Sequence, residues 1–297
     1  MTDSRHTNSH CSVVVAFATR GRAAVLNKVI ERLDRQTHVP SAILISCADI
    51  QDAGDAIQRP NVTIVSSELG LTRQRNAALR SVPENTDVVI FFDDDFIPHD
   101  TWIEKIVEAF EAFPDVAGLT GHVLSDGIST EGLTFEQAVQ IVDAGSPPPT
   151  PRVLAPYSPY GCNMAFRRDA IRGLFFDERL VLYGWQEDRD FGSQVARRSR
   201  VAKLSSALGV HMGVKAGRVS GRKFGYSQIS NPVYLWRKGN MDILTALGHI
   251  AKNFASNLVK APFPEEFIDR YGRLTGNILG FNDVLRGKVT PERVVDI

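Results

Sequence analysis

Along the first 125 residues, short apolar runs rich in β-branched side chains alternate with stretches whose apolar positions recur every three or four residues. The runs are Val13–Phe17, Ile43–Ser46, Val62–Val65, Val88–Phe92 and Val116–Thr120, and each predicts a strand. Between them, Ala24–Arg35, Asp52–Gln58, Leu71–Arg80 and Trp102–Phe113 predict helices. Strand, helix and strand in regular succession read as an α/β fold with helices wrapped around a parallel sheet. In such sheets ligands gather beyond the carboxyl ends of the strands. That directs attention to Ala18–Arg22, Ser46–Asp52, Ser66–Gly70 and Asp93–Pro98.

The pattern then changes. Gly145–Pro159 is dense in proline and predicts a loop or crossing segment. A strand is expected at Cys162–Phe166, a helix over Glu187–Arg198 and another strand at Val201–Leu204. Gly209–Gly225, rich in glycine and basic residues, predicts a mobile loop. Val233–Leu285 predicts helices divided at Pro262 and Pro264. Within it, Met241–Lys260 is amphipathic, with Leu244, Leu247, Ile250, Phe254 and Leu258 on one face. Packing on the domain and docking on a membrane both suit that face, and packing is the commoner use.

Composition narrows the class. An apolar fraction of 43% and a charged fraction of 23% exclude a disordered chain, a collagen-like fibre and a coiled coil. Acidic and basic residues balance, but Phe191–Met241 carries ten basic residues and no acidic one. Such a stretch suits phosphates or an anionic surface, or is a solvated face neutralised by the acidic first half. Three scattered cysteines, Cys11, Cys47 and Cys162, predict a reducing compartment with no disulfide framework and no zinc site. The polar N-terminus reads as neither signal nor transit peptide, and no apolar run reaches membrane-spanning length, so a cytoplasmic protein is expected.

The most informative stretch is VVIFFDDDFIP, residues 88–98. A buried strand ends at once in Asp93, Asp94 and Asp95, where adjacent carboxylates repel and lose solvation. A hard divalent cation such as Mg²⁺ or Mn²⁺, shared with a substrate's phosphates, removes that cost. Alternation along an extended segment lets Asp93 and Asp95 face one side. An acidic turn capping the next helix is the structural alternative. Upstream, GLTRQRNAAL (70–79) opens a helix with Arg73 and Arg75 near its start, a place suited to an anion or to ordinary surface arginines. Downstream, GWQEDRDFG (184–192) puts Glu187, Asp188 and Asp190 in a first helical turn, where the dipole alone favours acids. The preceding Tyr183 and Trp185 form an aromatic platform of the kind that stacks on sugars, which makes an adjacent carboxylate a candidate general base. His211 in GVHMG is, taken alone, an ordinary core or surface histidine.

The order of these pieces says more than any one of them. AFATRGR, the strand ending in DDD, GCNMAFRR (161–168), GWQEDRDF and VHMG together resemble a family-2 glycosyltransferase of the GT-A fold over residues 11–215. The ending, with NPVYLWRKG, is similar to bacterial enzymes that build exopolysaccharide or capsule. The resemblance implies a Rossmann-type nucleotide-diphospho-sugar transferase domain with a mixed central sheet, plus C-terminal helices. Its expected divisions are a flexible segment 1–10, a nucleotide-binding half 11–125, an acceptor and catalytic half 126–230, and a helical extension 231–297.

Position by position, the resemblance implies that Thr19, Arg20, Ser46, Arg75, Asn76, Asp93 and Asp94 meet the donor nucleotide or its diphosphate. Asp95 is then the direct ligand of Mn²⁺ or Mg²⁺, with Asp93 and His211 completing the metal shell. Gly161, Asn163, Trp185 and Glu187 line the acceptor cleft, and Asp188 is the base, with Glu187 orienting the acceptor. Gly213, Gly217, Gly221 and Gly225 are expected to let the basic loop close over the donor. Many relatives carry an acidic, base-reading run after the second strand, whereas this chain has Ile45–Ser46–Cys47–Ala48–Asp49, so the base is left open.

The implied reaction is inverting transfer of a sugar from a nucleoside-diphosphate sugar to a hydroxyl of a saccharide or lipid-linked saccharide. Nucleic acid is not an expected partner, and the basic stretch with the amphipathic helix predicts peripheral contact with the cytoplasmic face of a membrane. Oligomeric state is not encoded in any readable motif. The alternatives are a non-catalytic nucleotide-sugar-binding module, a nucleotidyltransferase and a glycoside hydrolase. AFATRGR lacks the glycines a nucleotidyltransferase loop needs, and a hydrolase needs neither metal nor nucleotide. The absence of GxGxxG and GxxxxGK[ST] argues against a dinucleotide oxidoreductase and a P-loop enzyme.

Overall fold

The structure, a computed structural model, describes residues 11–215, 219–263 and 265–297. Segment 1–10, Gly217 and Pro264, all given roles above, lie outside the described residues. Among the described residues, nine strands form one sheet: β1 (Val13–Ala18), β2 (Ala42–Cys47), β3 (Val62–Ser66), β4 (Val88–Asp93), β5 (Phe96–Pro98), β6 (Val116–Asp126), β7 (Val153–Leu154), β8 (Asn163–Arg167) and β9 (Arg200–His211). Their order is β3-β2-β1-β4-β8-β6-β9-β5, with β7 added on β9. The half β3-β2-β1-β4 is parallel, and β8 then runs antiparallel to both β4 and β6. The sheet is therefore mixed, as expected.

Apolar runs without alternation make the central strands because both faces are covered. Val13, Val15 and Phe17 of β1 enter one core, while Val14 and Ala16 enter the other. Helices α1 (Ala23–Leu33), α2 (Leu71–Arg80), α3 (Trp102–Ala112), α4 (Phe135–Ala144) and α5 (Glu187–Ala196) surround the sheet. The aspartate triplet is held by aromatic packing on either side of it. Phe92 and Phe96 both pack edge-on against Trp102, at 4.7 and 6.4 Å between ring centres, and Trp102 is wholly buried. Such pairs each add about 0.5–1.5 kcal/mol beyond burial, which anchors the short turn between β4 and β5.

Several expectations shift. Ile50–Gln58 is a 3₁₀ segment broken at Gly54 (φ 54°), not a regular helix. The strand expected at Val201–Leu204 runs on to His211, because it pairs along β6 and then with β5. Helix α6 (Gly221–Lys238) starts upstream of position 231, passing through Pro232, and is followed by α7 (Ile243–Lys260) and α8 (Arg270–Leu285). The expected loop at Gly209–Gly225 is regular at both ends, where Gly209 lies in β9 and Gly221 and Gly225 lie in α6, while 212–215 and 219–220 belong to neither element. Gly225 is needed there for close approach. A Cβ on it would stand 2.0 Å from the Arg273 carbonyl oxygen on α8.

Candidate active site

The register of the sheet assembles the site. Pairing of β5 with β9 sets Phe96 opposite His211, and pairing of β6 with β9 sets Asp126 opposite the same histidine. The imidazole is thereby brought to the turn that carries Asp93–Asp95. One oxygen each from Asp93 and Asp95 and a nitrogen of His211 lie within 4.8 Å of one another. His211 Nε2 is 3.3 Å from Asp95 Oδ1 and 4.0 Å from Asp93 Oδ2.

This triad fits a divalent cation. Asp95 is buried, its Oδ1 lacks a well-formed hydrogen bond, and its Oδ2 accepts the Val214 N–H at 2.8 Å. The other imidazole nitrogen, Nδ1, is 3.0 Å from Asp126 Oδ1, and Asp126 in turn accepts the Tyr160 hydroxyl at 2.6 Å. A carboxylate behind a histidine fixes which nitrogen faces a metal. Burial works against charge on His211, but the hydrogen bond with Asp126 and the nearby Asp95 and Asp93 carboxylates outweigh it and push its pKa up to about 10. Burial likewise opposes the Asp95 charge, and His211, Arg22 and the Val214 amide hold its carboxyl below the usual range.

Asp94 turns the other way. It is buried, takes the Thr19 hydroxyl at 2.7 Å and the Arg22 guanidinium at 2.8 Å, and burial pushes its carboxyl up. Asp94 and Asp95 form a turn between β4 and β5 in place of the expected extended segment, and the turn still brings Asp93 and Asp95 together at His211. Arg22 also lies 3.5 Å from Asp95. Nothing in AFATRGR distinguishes Arg22 from Arg20, which is exposed and does not line the cavity.

A cavity of about 570 Å³ opens beside the triad. Its wall includes Asp93, His211, Arg75, Gly161, Trp185, Glu187 and Asp188. Arg75 is fully enclosed. It is paired with Glu187, donates to Asp93 Oδ1 at 2.9 Å and to the Gly161 carbonyl at 2.8 Å. The guanidinium expected at the diphosphate is therefore a bridge between Asp93 of the triad and Glu187 of the Glu187–Asp188 pair. The Gly161 N–H donates to Asp188 Oδ2 at 2.8 Å, and the Arg189 N–H to Oδ1 at 2.7 Å. A Cβ on Gly161 would sit 3.2 Å from Glu187 and 3.3 Å from Asp188, so glycine lets both acids close on this loop. Burial raises both carboxyls: Glu187 to about 8 despite Arg75, and Asp188 above its ordinary value despite its two N–H donors.

Other expected site residues have their polar groups engaged elsewhere. Asn76 is buried, donates to the Phe176 carbonyl and Glu178, and accepts the Phe176 N–H, which pins the 176–178 segment to α2. Asn163 is wholly buried, and its side-chain oxygen accepts the Gly121 N–H at 2.6 Å. Ser46 is wholly buried at the end of β2 and bonds Ser67. Trp185 lines the cavity against Phe224 and His249. Asp126 and Tyr160 carried no sequence signal, since neither stands in a recognisable motif. Only the register brings them behind His211.

Comparisons with known proteins agree with this architecture. The profile described as "Glycosyl transferase family 2" matches residues 12–175, more than half of the chain. A glucosyl-dolichyl phosphate glucuronosyltransferase of Haloferax volcanii is 24% identical over 168 residues, 53% of this chain and 52% of its own length. The chain thus spans about half the length of the curated relative it matches. Among solved structures, Staphylococcus aureus TarS 1-349 superposes with a TM-score of 0.59 at 14% identity, over 95% of this chain and 82% of its own. The mannosyltransferase PcManGT of Pyrobaculum calidifontis, solved with GDP-Man and Mn²⁺, gives 0.55 at 15% identity, over 97% and 86%. These likenesses establish the GT-A fold, and by the match to more than half its length the chain belongs to glycosyltransferase family 2.

Proposed function

We propose that the protein is an inverting, divalent-metal-dependent glycosyltransferase that moves a sugar from a nucleoside-diphosphate sugar to a hydroxyl of a saccharide or lipid-linked saccharide. The observation that carries this reading is the junction of two chemistries on one cavity, a cation triad at the sheet's carboxyl ends and a buried carboxylate pair across Arg75. The mannosyltransferase relative was solved with GDP-Man and Mn²⁺, and TarS 1-349 also with UDP, which supports a nucleotide-linked donor.

A bound Mn²⁺ or Mg²⁺, held by Asp95, Asp93 and His211, supplies neutralisation of the diphosphate charge that grows as the nucleotide departs. Arg22 adds cationic charge beside the same aspartates. Asp188 accepts the acceptor hydroxyl's proton while the oxygen attacks the anomeric carbon from the face opposite the leaving diphosphate. A carboxylate is too weak to ionise an alcohol beforehand, so proton transfer accompanies attack. Its two backbone N–H donors fix the carboxylate's direction. Glu187, clamped by Arg75, orients the acceptor. Trp185 offers a flat face to a sugar ring.

The acceptor reading extends to the C-terminal helices. Leu244, Leu247 and Leu258 on α7 and Ile278 and Leu285 on α8 are at least half exposed, which suits an acceptor carried on lipid and peripheral contact with a membrane, as in synthesis of bacterial surface polysaccharide. The test is transfer from candidate nucleotide sugars by wild type and Asp188→Asn. The product's anomeric configuration should be opposite to the donor's, and retention would overturn the inverting mechanism.

A further inference from the structure

Gln186 departs from ordinary packing in three ways at once. Its backbone is left-handed (φ 70°, ψ 19°), a conformation that disfavours side chains other than glycine, asparagine and aspartate. The residue is 8% exposed and its amide nitrogen and oxygen are fully buried, yet neither has a hydrogen-bond partner. It also lines the cavity between Trp185 and Glu187. Other buried amides here are satisfied. Asn76 and Asn163 bond neighbouring segments, and Asn257 bonds Gln228 and Asn277. A buried amide with no partner is destabilising, and so is the backbone that carries it. Both persist where a site is built for a group that arrives with the ligand.

We propose that Gln186 is a saccharide-binding residue that selects the acceptor. Its amide nitrogen donates to one hydroxyl of a neutral sugar ring laid against Trp185, and its amide oxygen accepts from the adjacent hydroxyl. The amide is packed away from solvent, so reaching the ring requires its side chain to turn toward the cavity, a motion that no hydrogen bond of the amide opposes. The adjacent Glu187 and Asp188 disfavour an anionic ligand at this point, and an amide pairs with hydroxyls without adding charge. The inference rests on reading the cavity as the acceptor side of a transfer site, and it adds the residue that reads the ring.

Saturation-transfer NMR on the full chain tests it, with the methyl glycosides of glucose, galactose, mannose and N-acetylglucosamine as probes. Wild type binds at least one, and Gln186→Leu weakens that binding about tenfold, as the loss of two neutral hydrogen bonds requires. Gln186→Gly relieves the left-handed backbone, so it raises the melting temperature while losing the sugar. Binding equal to wild type in both variants overturns the proposal, and so does failure of wild type to bind any of the four. Stabilisation by nucleoside diphosphate with Mn²⁺ is read on the same proteins. It stays at the wild-type level in both variants, and its absence from wild type counts against the donor reading alone.

Discussion

Asp188 and Asn76 show how differently two polar residues near one cavity behave. Asp188 faces the cavity with two backbone N–H groups on it, and burial raises its carboxyl. Because a base works only when ionised, the acid limb of the transfer rate should lie above the ordinary aspartate range near about 3.9. Activity is lost as pH falls through that raised value and kept above it, and a rate still undiminished at pH 4 would contradict the assignment. Asp188→Asn should lower the transfer rate by about 10²–10⁴, the span of general-base contributions, while nucleotide binding stays as it was. Asn76 instead ties α2 to the 176–178 segment through three hydrogen bonds. Asn76→Ala should cost about 2 kcal/mol in urea unfolding by stranding buried backbone groups, and an unchanged midpoint would show the segment to be held otherwise. The aspartate triplet was legible in the sequence because charge at the end of an apolar strand is costly and so marks itself. Asn76, Asn163 and Ser46 were not, because a buried amide or hydroxyl looks the same in sequence whether it faces a ligand or another backbone.

At the scale of elements, the early strands were readable because runs such as Val88–Phe92 carry apolar residues on both faces. Helix α6 was obscured by its own composition. GRKFGYSQ reads as a loop, since glycine in a helix interior is unfavourable by about 1 kcal/mol relative to alanine. Tertiary contact reverses that judgement: Gly225 and Gly276 let α6 and α8 touch backbone to backbone. Gly225→Ala should therefore destabilise the protein despite alanine's better helix propensity, by about 1–3 kcal/mol of overpacking. A stabilised variant would mean that the helices separate readily. The long β9 was missed for a related reason. LSSALGVH has weak strand character, and its pairing along β6 and β5, which delivers His211, is a long-range property.

Across the whole molecule, the sheet brings Asp93, Asp95 and His211 together from two distant parts of the chain, with Asp93 and His211 on the cavity wall, and Arg75 links Asp93 to Glu187 beside Asp188. Among the described residues no helix is long and apolar enough to cross a membrane. If the exposed faces of α7 and α8 meet lipid, wild type should float with anionic vesicles and Leu244→Asp/Leu247→Asp should not. Equal flotation would assign those faces another use. The central claim, that a nucleoside diphosphate and a divalent cation share the aspartate-histidine site, is tested most directly by thermal unfolding of wild type and Asp95→Ala with UDP, GDP, dTDP and CMP, each with and without Mn²⁺. A ligand at about 100 times its dissociation constant adds about 2.7 kcal/mol to the native state, enough to move the melting temperature by several degrees. The account predicts that one nucleoside diphosphate stabilises wild type only with Mn²⁺, and that Asp95→Ala loses this metal dependence. Folded wild type that responds to none of them, or an Asp95→Ala variant whose Mn²⁺ dependence is unchanged, would contradict it.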